Sequence, residues 1–174
     1  MMSLLGLGIK VEGLEFLCGE CTMLPSKNGK FPINSNLRLS MSLTKTVKKK
    51  IHVNETDGTG VIYFASALRI AQEIFEECIL EKFLTLQQAM KEWGILIPIR
   101  AVQGDFLKPL QYSDEVEITL QLTRIGDRSF EITTRWMKGE SLAFTSAIAH
   151  VCVTRTTFEP CPLPEDLRKW LTSP

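Results

Sequence analysis

The 174-residue sequence predicts an α+β fold in which a largely antiparallel sheet packs on one long helix. Three observations lead there. Apolar residues recur at three- and four-residue steps from Phe64 to Phe83, residues 115–122 alternate strictly, and the helical segments precede four strand-like runs joined by short turns.

Taken in order, residues 1–44 hold "PSKNGKFPINSN", rich in turn formers and without periodicity, and read as an N-terminal extension. Met41 is a candidate translation start where regular structure begins. The domain proper is expected over 45–174, opening with a strand at "VKKKIHVN" (47–54). Phe64, Ala67, Leu68, Ala71, Ile74, Phe75, Cys78, Ile79 and Phe83 then form a helical stripe, widened by Ile70 and Leu80. So broad an apolar surface implies a helix covered on several sides. "TLQQAMKEWG" (85–94) reads as a shorter helix closed by Gly94. Four strand-like runs follow, separated by turn signals at Lys108-Pro109, Gly126-Asp127 and Gly139-Glu140. In the second run Val116, Ile118, Leu120 and Leu122 face the core, and Glu115, Glu117, Thr119 and Gln121 face away.

Charge and composition narrow the function. Lys plus Arg and Asp plus Glu number 20 each, which gives no general attraction to nucleic acid or to an anionic membrane. No apolar run approaches the roughly 18 residues of a membrane span. Neither kind of partner is therefore expected. Cys18, Cys21, Cys78, Cys152 and Cys161 form an odd set that suits a reducing cytoplasm. The N-terminus has no basic region ahead of its apolar start, which argues against a secretory signal and leaves organellar targeting open. "CGEC" (18–21) has no second pair or nearby His to complete a tetrahedral site, so inert thiols are expected and no metal. Cys78, Cys152, Trp93, Trp136 and Trp170 read as packing residues.

"VNETDGTGVIYF" (53–64) places a lone acid, Asp57, between strand and helix. Asp before Gly is a turn and cap signal in its own right. The same position also sets a carboxylate beside the free amides of a helix start, a pairing suited to attack on a carbonyl.

The stretches "DGTGVIYFASAL", "DFLKPLQYSDEVEI", "SFEI", "HVCV" and "PLPEDLRKWL" resemble the hotdog-fold acyl-CoA thioesterases of the 4-hydroxybenzoyl-CoA type. Within that group they are most similar to the 1,4-dihydroxy-2-naphthoyl-CoA hydrolases of phylloquinone and menaquinone synthesis. The resemblance spans roughly residues 45–172. It implies a curved sheet around one central helix, hydrolysis of an acyl- or aroyl-CoA thioester, and no cofactor beyond the coenzyme A of the substrate. It also implies a homodimer or homotetramer with active sites between subunits. Asp57 matches the carboxylate that attacks the thioester or directs water at it, and Phe64 the residue whose backbone N–H polarises the carbonyl. Gly60, Tyr63 and Ala67 fall at substrate positions, and Arg128 with Ser129 in a region that contacts the nucleotide end of CoA. Lys108 and Arg124 are further candidate cations.

Other acids and bases fit less well. Glu55 is expected to be solvated or to orient Asp57. Glu73 is a rival acid because another hotdog branch uses a helix carboxylate, but the His-Gly-rich lead-in of that branch is missing here. Position 62 is Ile, where hydratases would place the His of a proton shuttle, and His52 and His150 read as strand-face residues. Phe64 and Ala67 depart from relatives with His and an aromatic at those positions, which bears on acyl preference. An aliphatic acyl-CoA or acyl-carrier-protein thioesterase and a non-catalytic acyl-CoA-binding hotdog are the alternatives.

Overall fold

The computed structural model describes residues 43–173; the expected extension, with "CGEC" and Met41, lies outside the described residues apart from its last two positions. Strand β1 (Thr44–Lys50) is followed by a 3-10 turn (Val53–Glu55), helix α1 (Phe64–Leu80), helix α2 (Leu86–Trp93) and the short strand β2 (Ile95–Leu96). Strands β3 (Ile99–Phe106), β4 (Glu115–Ile125), β5 (Ser129–Lys138), β6 (Ser141–Val151) and β7 (Val153–Thr154) come next, and helix α3 (Glu165–Thr172) closes the chain.

The main sheet has the order β1-β4-β5-β6-β3, and each neighbouring pair is antiparallel. Its inner face carries Val116, Ile118, Leu120 and Leu122 of β4, Phe130, Ile132 and Trp136 of β5, and Phe144 and Ile148 of β6, all buried. Helix α1 supplies the other half of the core with Ala67, Ile70, Ala71, Ile74, Phe75, Cys78 and Ile79. Ile70 joins the core, whereas Leu80 at the end of the helix is exposed. The alternation of β4 is as expected, because a period of two on a sheet with one buried face leaves no other register.

Several polar groups in this core are paired, whereas the buried His150 Nε2 has no hydrogen-bond partner among the described residues. Trp136 Nε1 donates to Thr134 Oγ1 at 2.9 Å, and the Thr134 and Ser146 hydroxyls lie 2.7 Å apart. Helix α2 begins where Thr85 Oγ1 accepts from the Gln88 amide at 3.0 Å, and ends at Gly94 with φ 71°, a left-handed conformation that glycine adopts without penalty. Helix α3 buries Leu167 and Leu171 and fastens the C-terminus to β1 through the Leu43 amide and the Leu171 carbonyl, 2.9 Å apart.

Two expectations change. The first strand ends at Lys50, not at Asn54: Ile51 turns into the core, and residues 53–55 wind into the 3-10 turn, so His52 belongs to no strand. His150 is on β6 as expected, but it is a core residue, 1% exposed. Its ring stacks on Phe130 at 5.0 Å and meets Phe75 at 4.8 Å, while Nδ1 lies 3.2 Å from the Ile97 carbonyl.

Burial pushes the His150 pKa down to about 4 from 6.5, against a smaller opposite effect of the Ile97 hydrogen bond. The folded state therefore holds a neutral ring, and the unfolded chain takes up the proton first. Stability from this group is complete above pH 6.5 and is lost as pH falls toward 4. The full shift corresponds to about 3 kcal/mol. Urea unfolding of His150→Leu across this range should show a flatter pH dependence than the parent, whatever its absolute stability.

Candidate active site

The acid and the helix start are joined by a short paired loop. Thr56 and Ile62 form an isolated antiparallel bridge, and Val61 forms another with Gln111. Inside this loop the Asp57 amide donates to the Val61 carbonyl at 2.9 Å, and the Gly60 amide donates back to the Asp57 carbonyl at 3.0 Å. Gly60 takes φ 81°, which L side chains rarely adopt, while a Cβ on Gly58 would meet nothing within 4 Å.

Asp57 is exposed, and its Oδ1 accepts from the Thr59 amide at 2.8 Å and the Thr59 hydroxyl at 2.5 Å. These bonds, with help from the Val61 amide and against weak desolvation, hold the carboxyl below the ordinary aspartate value. The group is ionised at neutral pH. The turn expected of an Asp-Gly pair and the placement of an acid are thus two properties of one loop.

Helix α1 starts at Phe64 with Tyr63 as its N-cap, and no side chain among the described residues caps it. The Tyr63 amide donates to the Glu55 carbonyl at 2.8 Å, and the Ala67 amide to the Tyr63 carbonyl at 3.1 Å. The amides of Phe64, Ala65 and Ser66 fall at the open end, which carries the positive pole of the helix. Tyr63 is 45% exposed and packs its ring on Phe64 at 4.7 Å. Exposed Phe106, Leu107 and Tyr112 belong to the end of β3 and the loop that pairs with residues 61 and 62.

The structure revises two expectations here. Ala67 is fully buried, because position 67 continues the α1 stripe through Ala71, Ile74 and Cys78; its methyl group packs in the core and does not line the surface of the site. Glu55 is not solvated: it is 3% exposed, its Oε2 accepts from the His52 amide at 2.8 Å, and its Oε1 lies 2.8 Å from Lys49 Nζ and 3.5 Å from an Arg69 nitrogen. Sequence alone missed this burial, although a lysine facing inward at position 49 and an arginine at position 69 are the counterions it needs.

Glu73 is exposed and ion-paired with Arg69. It lies nine residues beyond the helix start, roughly 14 Å along the axis. Arg128 and Ser129 follow the β4–β5 turn, where the Ser129 carbonyl accepts from the Gly126 amide and the Arg128 carbonyl from the Cys152 amide, both at 2.8 Å. One chain does not bring them to Asp57. The Asp57 loop neighbours the start of β4 and the turn at Arg128 follows its end, 11 residues on, a separation on the order of 35 Å. Lys108 is bonded to the Ser141 hydroxyl at 2.8 Å. A depression of about 540 Å³ between β1, β4 and β5, lined by residues such as Lys48, Lys50, Glu115 and Glu117, does not include Asp57.

A loop carboxylate on the segment that leads into an uncapped helix start suits acyl transfer, and comparison with known proteins agrees. The chain belongs to the Thioesterase-like superfamily, whose profile matches residues 51–171. A 1,4-dihydroxy-2-naphthoyl-CoA hydrolase of Rippkaea orientalis is 33% identical over 128 residues, covering 72% of this chain and 93% of the relative. One from Thermosynechococcus vestitus is 30% identical over 127 residues, covering 72% and 87%. Among solved structures, a 1,4-dihydroxy-2-naphthoyl-CoA thioesterase from Synechocystis superposes with a TM-score of 0.66 at 25% identity, covering 74% of this chain and 95% of that one. The chain is a hotdog-fold thioester hydrolase, as the resemblance implied.

The loop's geometry separates its two glycines. Gly60→Ala should lower unfolding stability by about 1–2 kcal/mol, the cost of a left-handed alanine. Gly58→Ala should stay within about 0.5 kcal/mol. Urea melts of the two variants test this.

Proposed function

We propose that this enzyme hydrolyses the thioester of 1,4-dihydroxy-2-naphthoyl-CoA to the free acid and CoA, with Asp57 and the Phe64 amide as its reacting groups. The observation that carries this is the exposed, ionised Asp57 on a loop whose other end is the uncapped start of α1. The relatives named above support the acyl group.

Asp57 attacks the acyl carbon directly or orients a water that does so. Its Oδ2 is the oxygen that Thr59 leaves for this role. Negative charge that develops on the carbonyl oxygen is taken up by the Phe64 N–H. The C–S bond then breaks and the CoA thiolate leaves, needing little acid help because a thiol pKa lies near ~8.5. On the direct route, water cleaves the resulting anhydride and restores the carboxylate. Neither route calls for a cofactor beyond the CoA of the substrate. Gly60 and Tyr63 sit beside the reacting carbonyl, and Ala67 acts on the acyl group through the packing of α1.

The working unit is a homodimer, paired into a tetramer, in a reducing cytoplasm that suits the free thiols of Cys78, Cys152 and Cys161. Of the two open sheet edges, β1 carries lysines at 45, 48, 49 and 50, which discourage strand addition, whereas β3 has none. Antiparallel pairing of two β3 strands sets the Phe106 end of one copy beside the Ile99 end of the other. Phe106 marks the Asp57 end of the sheet. Ile99, opposite His150 on β6, marks the Arg128 end. A second copy can thus supply the Arg128 and Ser129 that the first holds too far away, to meet the CoA phosphates.

Thiol release from naphthoyl, benzoyl and fatty acyl CoA esters tests the reading. The naphthoyl ester should give the highest kcat/KM, and Asp57→Asn should lower kcat by about 100-fold or more. Wild-type rates in that variant would remove Asp57 from the chemistry, and a preference for fatty acyl esters would make the enzyme an aliphatic thioesterase. Arg128→Ala should raise KM severalfold for the CoA ester and leave the matching pantetheine ester unchanged; equal effects on both would remove Arg128 from the nucleotide site.

A further inference from the structure

A buried carboxylate two residues from Asp57 takes no part in the chemistry above, yet it is the most heavily engaged acid among the described residues. We propose that Glu55 is a positioning residue for Asp57: its side chain locks the acid-bearing loop to β1 and to α1, and so fixes the carboxylate relative to the Phe64 amide. This rests on the assignment of Asp57 as the reacting acid.

The contacts come from three elements. Lys49 at the end of β1 reaches Oε1 at 2.8 Å, the His52 amide of the 3-10 turn reaches Oε2 at 2.8 Å, and Arg69 of α1 approaches Oε1 at 3.5 Å. The main chain of the same residue ties in the helix start, since its carbonyl accepts from the Tyr63 amide at 2.8 Å. Immediately after it, Thr56 pairs with Ile62. Glu55 is therefore the point from which the loop leaves and to which the helix start returns.

A residue that served solvation alone would not be 3% exposed with two cations directed at it. Desolvation would raise its pKa, but the His52 N–H and the Lys49 ammonium outweigh this and keep it below the ordinary glutamate value, so the clamp stays charged at neutral pH. Among the described residues Asp57 is held through its side chain by Thr59 and through its main chain by the Val61 carbonyl and the Gly60 amide, all within its own loop. Its placement relative to α1 therefore depends on how the loop is anchored. A shift of about 1 Å at a reacting group can cost on the order of 100-fold in rate.

The test is steady-state kinetics with the naphthoyl thioester on the full chain, with active protein counted from the folded fraction. Glu55→Ala should lower kcat at least tenfold with KM changed less than threefold. Glu55→Gln, which keeps an acceptor for the His52 amide, should recover part of that loss. On an Asp57→Asn background Glu55→Ala should cost less than a further twofold, because a residue acting through Asp57 has nothing left to position. The proposal is overturned if kcat per folded molecule stays within twofold of the parent, if the loss appears in KM or thermal stability alone, or if the two losses multiply. If Asp57→Asn alone keeps the parental rate, the assignment of the acid fails and the positioning role fails with it. If Asp57→Asn is inactive while Glu55→Ala is not, only the positioning role is lost.

Discussion

Everything in this fold depends on covering a helix with a broad apolar face. Seven of the 17 residues of α1 are buried, and they point in more than one direction, so a single flat contact would leave part of the stripe wet. A five-stranded antiparallel sheet meets one side, α2 with Ala89 and Trp93 another, and α3 closes the remainder with Leu167 and Leu171. Fully burying a large aliphatic or aromatic side chain is worth roughly 1.5–3 kcal/mol, so the helix barrel holds its place firmly. Its first turn is the part the packing leaves open. That turn offers amides instead of side chains, so the end of a core element presents hydrogen-bond donors without an unpaired polar group being buried.

The same arrangement makes the loop before the helix mechanically important. It must leave β1, place an acid, and return to the helix within 13 residues, from Ile51 to Tyr63. Two isolated bridges and the bonds between Asp57, Gly60 and Val61 organise the loop internally, and Glu55 joins it to the domain. Burying a carboxylate is unfavourable unless it is paired and hydrogen-bonded, and both conditions are met at Glu55.

Features set by short-range rules were legible in the sequence. The β4 alternation, the α1 stripe, the Gly94 stop and the Asp-Gly turn each follow from a period or from one residue's backbone preference. What could not be read is what depends on partners distant in sequence. Glu55 is buried because Lys49 and Arg69 converge on it, and His150 because Phe75 and Phe130 enclose it. The early end of β1 has the same origin: Ile51 is drawn into the core, and although its amide still bonds the in-register Asp114 carbonyl at 2.8 Å, its own carbonyl accepts from the Ser113 amide at 2.9 Å and the ladder stops there. The burial of Ala67 has a simpler reason. A position shared by a helix stripe and a family motif can serve either, and here it falls on the buried side.

That placement bears on how acyl preference is set. A side chain larger than alanine at position 67 would enter a core already occupied by Ile70, Ala71 and Ile74, and overpacking of that kind shifts backbone at a cost of roughly 1–3 kcal/mol. Any such shift would be transmitted to the first turn of α1, where the Tyr63 and Phe64 rings meet at a tilt. The small residues beneath the helix start thus help to set where that start sits.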